Sequence, residues 1–364
     1  MARPPAGRRV AKGRGAVINP KGRFERLDVR TDGDYADPSP DDADKAGAAR
    51  PATEFLSDAS KSVISRNQSP DIPFSVSLNP YRGCEHGCSY CYARASHEFL
   101  GFSAGLDFET KIVVKVDAPE LMRSEITGPK WQPQTLALSG VTDAYQPVER
   151  RLEVTRRCLE ILAELRHPVS IITKNALVAR DVDLLAGLAE HGAASVALSI
   201  TTLDPDLSRR LEPRASSPRR RLDAVRTLAD AGVPVGVMTA PMIPGLNDHE
   251  PAAILEAAAG AGASFAGYTV LRLPGVVAEL FQAWLEEHYP DRAQKVLNLL
   301  RTVRGGRLYD PRFGRRMTGQ GPYYQQLKAM FHIASRRHGL SHRGPKLSTD
   351  AFRPPGAQLG LFGT

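Results

Sequence analysis

Three of the four cysteines in the chain fall in one short run, Cys84-Glu85-His86-Gly87-Cys88-Ser89-Tyr90-Cys91. This Cys-x3-Cys-x2-Cys spacing constrains the chain more than any other feature. A disulfide framework spreads its cysteines and usually uses an even number, so a reducing cytoplasm is expected. Three thiolates on one tight loop can instead converge on a single metal centre. Gly83 and Gly87 give the backbone the freedom to turn around it. A structural zinc site is closed by four ligands, and electron-transfer iron–sulfur clusters usually take four cysteines. A cubane cluster held by three leaves one iron open to a substrate or cofactor. Cys158 lies within a helical pattern and is expected to be an ordinary core residue. The alternative is zinc, with His86 or His97 as a fourth ligand. Thiolate sulfur suits both metals. Zinc ligands usually come as two separated pairs, so the compact triplet favours iron and sulfur.

The 364 residues suffice for about two domains and a large core, so no metal is needed merely to hold a fold. No stretch approaches the roughly 18 apolar residues of a membrane span. The basic start has no following apolar segment, so no secretory signal is expected. Residues 1–66 are rich in Pro, Gly, Asp, Ala and Arg without apolar periodicity, which predicts a disordered arm. Beyond them, apolar β-branched runs at 111–116, 135–139, 169–173, 195–200, 233–239 and 266–271 alternate with helical patterns. Those patterns cover 149–166, 182–191, 219–231 and 251–261. Strands apolar on both faces, alternating with helices, predict an α/β fold with a helix-covered parallel sheet. Further helices are expected at 278–288, 293–304 and 323–337. In parallel α/β barrels the chemistry sits at the carboxyl ends of the strands.

The cysteine spacing, with the aromatic Tyr90 just before the last cysteine, resembles the signature of radical S-adenosylmethionine (SAM) enzymes. The strand–helix order, with the cysteine loop after a first short strand at 74–78, resembles that family's partial (β/α)6 barrel. The resemblance implies that Cys84, Cys88 and Cys91 hold a [4Fe–4S] cluster whose open iron binds SAM. Reductive cleavage would then give methionine and a 5′-deoxyadenosyl radical. Within the superfamily the chain is most similar to the spore photoproduct lyase-like branch, often described as DNA repair photolyases. Cys88-Ser89-Tyr90-Cys91-Tyr92 matches that branch's Cys-x-Tyr-Cys-Tyr, which makes Tyr92 a candidate catalytic residue. By the same resemblance Tyr90, Thr142, Asp143, Lys174 and Ser199 are candidate cofactor contacts. Residues 238–247 and 268–273 are placed like the loop near the adenosine and the segment near the adenine. One departure stands out. The lyase places a hydrogen-donor cysteine just before its cofactor-contacting pair, and Ser139-Gly140-Val141-Thr142-Asp143 has none.

The domain organisation expected is an arm (1–66), a radical SAM partial barrel (67–275), a helical extension (276–340) and a flexible basic tail (341–364). Charge is unevenly spread: +7 over residues 1–30, +10 over 301–364 and −9 between them. Basic ends are the footprint of a polyanion partner, because each neutralised phosphate releases counterions. The tail Gln358-Leu359-Gly360-Leu361-Phe362 resembles the short peptide by which bacterial DNA enzymes dock on the replication sliding clamp. Leu361 and Phe362 would fill an apolar pocket, with Gln358 at its rim. The expectation is radical chemistry on nucleic acid, with an electron donor as a further partner. The alternatives are the same chemistry on a protein or small molecule, or a non-catalytic zinc module that binds nucleic acid.

Overall fold

A computed structural model describes residues 13–24 and 51–354. Its strands in chain order are β1 (Glu54–Ser57), β2 (Ile64–Arg66), β3 (Val76–Leu78), β4 (Tyr81–Arg82) and β5 (Lys111–Val114). They continue as β6 (Leu136–Leu138), β7 (Val169–Thr173), β8 (Ala194–Ser199), β9 (Val235–Met242) and β10 (Phe265–Val270). The apolar runs pair as expected of strands covered on both faces. The main sheet has the order β10-β9-β8-β7-β6-β3-β2. Its strands β3 and β6 to β10 are mutually parallel, and β2 closes one edge antiparallel to β3. Every residue of β3, β6 and β8 is buried. Helices Val154–Glu164, Val182–Ala189, Pro218–Asp230 and Pro251–Gly260 separate successive strands. Fully burying one side chain such as Leu138, Ile171 or Val196 contributes about 1.5–3 kcal/mol. The fold is therefore α/β, with a mixed sheet flanked by helices.

The structure departs from expectation at three places. The run at 111–116 was expected in the main sheet. Instead β5 joins β1 and β4 in a separate three-stranded sheet. It has no place in the main one because Val76 to Leu78 pair directly with Leu136 to Leu138. The helix expected over 149–166 is two helices, broken at Glu153, whose φ is +52°. The buried Glu149 carboxylate sits at the break. It accepts from the amides of Thr155 (3.0 Å) and Arg156 (3.3 Å), and so caps the second helix. The third departure is the arm. Of residues 1–66, the stretches 13–24 and 51–66 pack onto the body, and 51–66 contributes β1 and β2.

The C-terminal region is helical as expected: Val277–His288, Pro290–Val303 and Gly321–Arg337. The connection before the last helix touches both the end of β10, through Arg304, and the loop between β2 and β3. There Asp71 accepts from the Gly314 amide (2.8 Å) and pairs with Arg316 Nε (2.7 Å). Arg304, 2% exposed, donates to the carbonyls of Val270 and Leu271 at the end of β10. Among the described residues no helix is long and apolar enough to cross a membrane. The clamp-like residues Gln358, Leu359, Leu361 and Phe362 lie outside the described residues.

Candidate active site at the carboxyl ends of the strands

The cysteine loop leaves β3 through Asn79-Pro80 and the two-residue β4. Gly83 (φ +79°) and Gly87 (φ +67°) are both left-handed. A Cβ on Gly83 would come within 2.9 Å of the Lys111 carbonyl, and one on Gly87 within 2.6 Å of Glu109 Oε2. Both glycines are thus required by conformation and by close approach. The loop is pinned by an ion pair that is wholly buried on both sides, Arg94 Nη2 to Glu109 Oε1 at 2.5 Å. Arg94 Nε also donates to the Cys88 carbonyl (2.9 Å), and its Nη1 to Gly105 (2.9 Å). Glu109 accepts in turn from the amides of Gly15 (3.0 Å) and Ala16 (2.8 Å). Residues 13–24 are thereby laid against the cysteine loop. A Cβ on Gly15 would overlap the Gly87 carbonyl at 1.6 Å.

Cys84, Cys88 and Cys91 are free thiols, the first two buried and the third half-buried. Burial raises the Cys91 thiol above its ordinary range, and so does the charge of Cys84. Arg94 and Lys174 oppose that shift. Cys88 is raised by burial and then by Glu212, with Lys174 again opposing. Among the described residues, no group of three His, Cys, Asp or Glu side chains stands at metal-ligand spacing. The donor chemistry nonetheless fits a cluster. Three thiols share one glycine-hinged loop, with the cations of Lys174 and Arg94 acting on that loop. Cys158 is fully buried in the hydrophobic core, on the Val154–Glu164 helix.

Asp143 lies in the loop after β6, among the ends of the neighbouring strands. Its Oδ1 accepts from Thr173 Oγ1 (2.7 Å) and the Tyr145 amide (2.9 Å), and its Oδ2 from the Lys174 amide (2.8 Å). His86 Nδ1 stands 3.3 Å from Oδ2. Burial pushes this carboxyl up. His86, Thr173 and the Lys174 amide outweigh burial and hold the carboxyl at about 2. Burial likewise opposes charge on His86. Asp143 and Cys84 overcome it and raise the ring to about 10. His97, the other candidate for a zinc ligand, is packed between Phe102 and Phe108, and burial lowers it to about 4.

The remaining candidates divide by how committed they are. Thr142 is buried, its hydroxyl donating to the Tyr81 carbonyl (2.8 Å) and its amide to Asn79 Oδ1 (3.2 Å). Both bonds fix the loop. Tyr90 donates to Glu212, and Lys174 Nζ sits 5.9 Å above its ring. Among the described residues the Lys174 ammonium makes only long polar contacts, 3.5 Å to the Ala240 carbonyl and 3.9 Å to Glu212 Oε1. It is the cation there with donors to spare. Ser199 ends β8 in a buried position, its carbonyl accepting from Arg221 Nη1 (2.7 Å). Tyr92 is 43% exposed, donates to the Gly140 carbonyl and has the Arg272 guanidinium 4.3 Å from its ring. The Gly140 carbonyl is presented by an unusual turn. Ser139 has φ +87°, a conformation uncommon outside glycine, and its Oγ accepts from the Ala144 amide at 2.9 Å.

Sequence reasoning missed Glu212 and Arg221, a buried pair that also engages Tyr90 and Thr201. Burial pushes the Glu212 carboxyl up from its ordinary 4.5, but Arg221, Lys174, Thr201 and Tyr90 together bring it to about 2. A carboxyl lowered in the folded state contributes stability above its unfolded value. That stability is lost as pH falls from about 4.5 through about 2, and amounts to roughly 3 kcal/mol. Urea unfolding between pH 2 and 7 checks this. Wild type should lose stability across that window more steeply than Glu212→Gln. Parallel curves would contradict it.

The profile of the radical SAM superfamily matches residues 78–258, from the end of β3 through most of the Pro251–Gly260 helix. The chain belongs to the radical SAM superfamily. It carries that superfamily's catalytic domain, with the cysteine loop and all of the strand ends described above inside or next to the matched span. An uncharacterised Mycobacterium tuberculosis protein is 38% identical over 234 residues, which is 63% of this chain and 68% of that relative. An uncharacterised Methanocaldococcus jannaschii protein is 28% identical over 246 residues, 67% of this chain and 87% of the relative. The fold of this radical SAM chain is similar to that of spore photoproduct lyase complexed with dinucleoside spore photoproduct. The TM-score is 0.55 at 16% identity, covering 79% of this chain and 81% of the lyase.

Proposed function

We propose that this radical SAM chain holds a [4Fe–4S] cluster through Cys84, Cys88 and Cys91 and cleaves SAM reductively to act on nucleic acid. The observation that carries the reading is the placement of three free thiols on one pinned loop at the carboxyl ends of six parallel strands. On this reading the sheet is the partial (β/α)6 barrel of the family. When bound, the cluster supplies the electron that splits SAM into methionine and a 5′-deoxyadenosyl radical. Lys174 offers its ammonium to the SAM carboxylate, and the end of β8 at Ser199 borders the cofactor. Tyr90, held by Glu212, supports Lys174 from below. Asp143 and Thr142 were expected to touch the cofactor. With their side chains bonded within the protein, they enter the proposal as positioning residues for the loop that borders it. Tyr92 stands at the mouth beside Cys91 and faces the substrate. The basic ends and the fold likeness to a lyase that has been seen complexed with a dinucleoside photoproduct support a nucleic-acid substrate.

Losing a hydrogen bond to a charged group costs about 1.5–3 kcal/mol. Lys174→Ala should therefore weaken SAM binding by tenfold or more in equilibrium binding, with cluster content unchanged. Unchanged affinity would remove Lys174 from the cofactor site. The substrate reading is tested by reductive SAM cleavage in deuterated water with ultraviolet-damaged oligonucleotide, undamaged oligonucleotide or none. The reading predicts faster formation of 5′-deoxyadenosine with one of the nucleic acids, and deuterium in the recovered product. Cleavage indifferent to both would overturn it.

A further inference from the structure

The catalytic middle of the chain is net acidic, yet one cavity on its rim is strongly basic. The cavity, of about 420 Å³, lies between the loops that follow β6, β7 and β8. Its polar lining is Arg150, Arg214, Arg220, Asn175, Ser216 and Ser217, and no carboxylate lines it. Three arginines thus line one cavity from two connections: Arg150 on the short helix Glu149–Leu152 after β6, and Arg214 and Arg220 in the loop and helix after β8. Arg150 and Arg220 are exposed and, among the described residues, make no side-chain hydrogen bond or ion pair. Arg214 is anchored. It pairs with Glu85 Oε1 at 2.8 Å and donates to Thr53 Oγ1 at 3.3 Å, and its side chain is about one-third exposed.

Arg150 and Arg220, with no carboxylate beside them, and Arg214, whose one carboxylate partner is Glu85, leave the cavity net positive. The wall behind them is rigid. Ser216 Oγ donates to Asn175 Oδ1 (2.9 Å) and accepts from the Ala176 amide (2.9 Å). The helix that begins at Pro218 adds its amino-terminal dipole from the Ser217 side. Arginine forks match the oxygens of phosphate with two parallel hydrogen bonds, and three of them suit a group with several charged oxygens better than a single carboxylate. The volume falls in the range of small-ligand sites, enough for a phosphoryl group with an attached sugar.

We propose that this cavity is a phosphate-binding site that takes a phosphodiester of the substrate strand and registers that strand beside the strand ends. The proposal rests on the nucleic-acid reading above for its source of phosphate, though not for the chemistry of the site. The cavity is also joined to the cysteine loop. The Arg214 amide donates to the His86 carbonyl at 3.2 Å, and Asn175 Nδ2 lies 3.3 Å from His86 Nε2. A phosphate held there is therefore fixed relative to the cysteine loop.

The test uses the reconstituted full chain and two probes. A labelled oligonucleotide is titrated by fluorescence anisotropy at several salt concentrations. Inorganic pyrophosphate is titrated by thermal shift. Arg150→Ala/Arg220→Ala is compared with Arg209→Ala/Arg226→Ala, which removes the same charge outside the cavity. The proposal predicts that the cavity variant binds oligonucleotide tenfold or more weakly, with a salt slope shallower by about 2. Protection by pyrophosphate is lost in the same variant, and the control variant behaves as wild type. Equal losses in the two variants, or no loss in the cavity variant, overturn the site. If wild type binds no oligonucleotide but pyrophosphate protection depends on Arg150 and Arg220, the phosphate site stands and the nucleic-acid reading falls. If neither probe binds wild type, the site falls as well.

Discussion

Cys84→Ser, Cys88→Ser and Cys91→Ser should each abolish cluster assembly and reductive SAM cleavage, whereas Cys158→Ala should leave both intact. The two outcomes follow from position. Three ligands leave no spare, so losing any one removes a third of the anchoring set, and the serine hydroxyl is a poor substitute for a thiolate as a ligand to soft metal centres. Cys158 is packed in the core, away from the loop, and its burial pushes its thiol up rather than toward the thiolate. Iron and sulfide content after anaerobic reconstitution, with quantification of 5′-deoxyadenosine, reads the result. Retained iron in any loop variant, or loss of iron in Cys158→Ala, would mean that the ligands have been assigned wrongly. Circular dichroism of the same samples separates ligand loss from unfolding.

The second large effect concerns stability. Arg94→Met should destabilise the protein by about 3–5 kcal/mol, because it leaves the Glu109 carboxylate buried without its cation. Glu109→Gln should cost a similar amount for the converse reason. The two changes combined should cost clearly less than their sum, because residues in one ion pair are coupled. Urea unfolding of the four proteins closes the cycle. Additive losses would show that the pair is not the unit described here. Because Glu109 also accepts from the amides of Gly15 and Ala16, Glu109→Gln should release the N-terminal piece as well. Faster proteolysis within residues 13–24 would report that release.

What the sequence made legible was whatever is local. The cysteine triplet and its glycines announced a tight loop, and Gly83 and Gly87 proved indispensable to it. Strands apolar on both faces announced a parallel sheet, and Val169–Thr173 and Ala194–Ser199 pair in it as expected. Periodicity says nothing about which sheet a strand joins, so Lys111–Val114 was misplaced. The break at Glu153 was hidden because its cause is a buried carboxylate capping a helix a few residues on. Pairs such as Arg94–Glu109, Tyr90–Glu212 and Arg14 with the Glu109 carbonyl are separated by 15 to 122 residues. No local pattern reveals them. The same long-range bonds explain why residues 13–24 of the polar N-terminal arm pack onto the body. Composition counts its few apolar residues and cannot foresee that a buried glutamate receives its amides.

The most direct measurement of the central claim is made on the wild-type chain. Reconstituted without oxygen, it should carry iron and sulfide in the ratio of a [4Fe–4S] cluster, about four of each per chain. It should also form 5′-deoxyadenosine from SAM under dithionite. A protein that instead retains zinc, takes up no iron and leaves SAM intact under the same conditions would contradict the account.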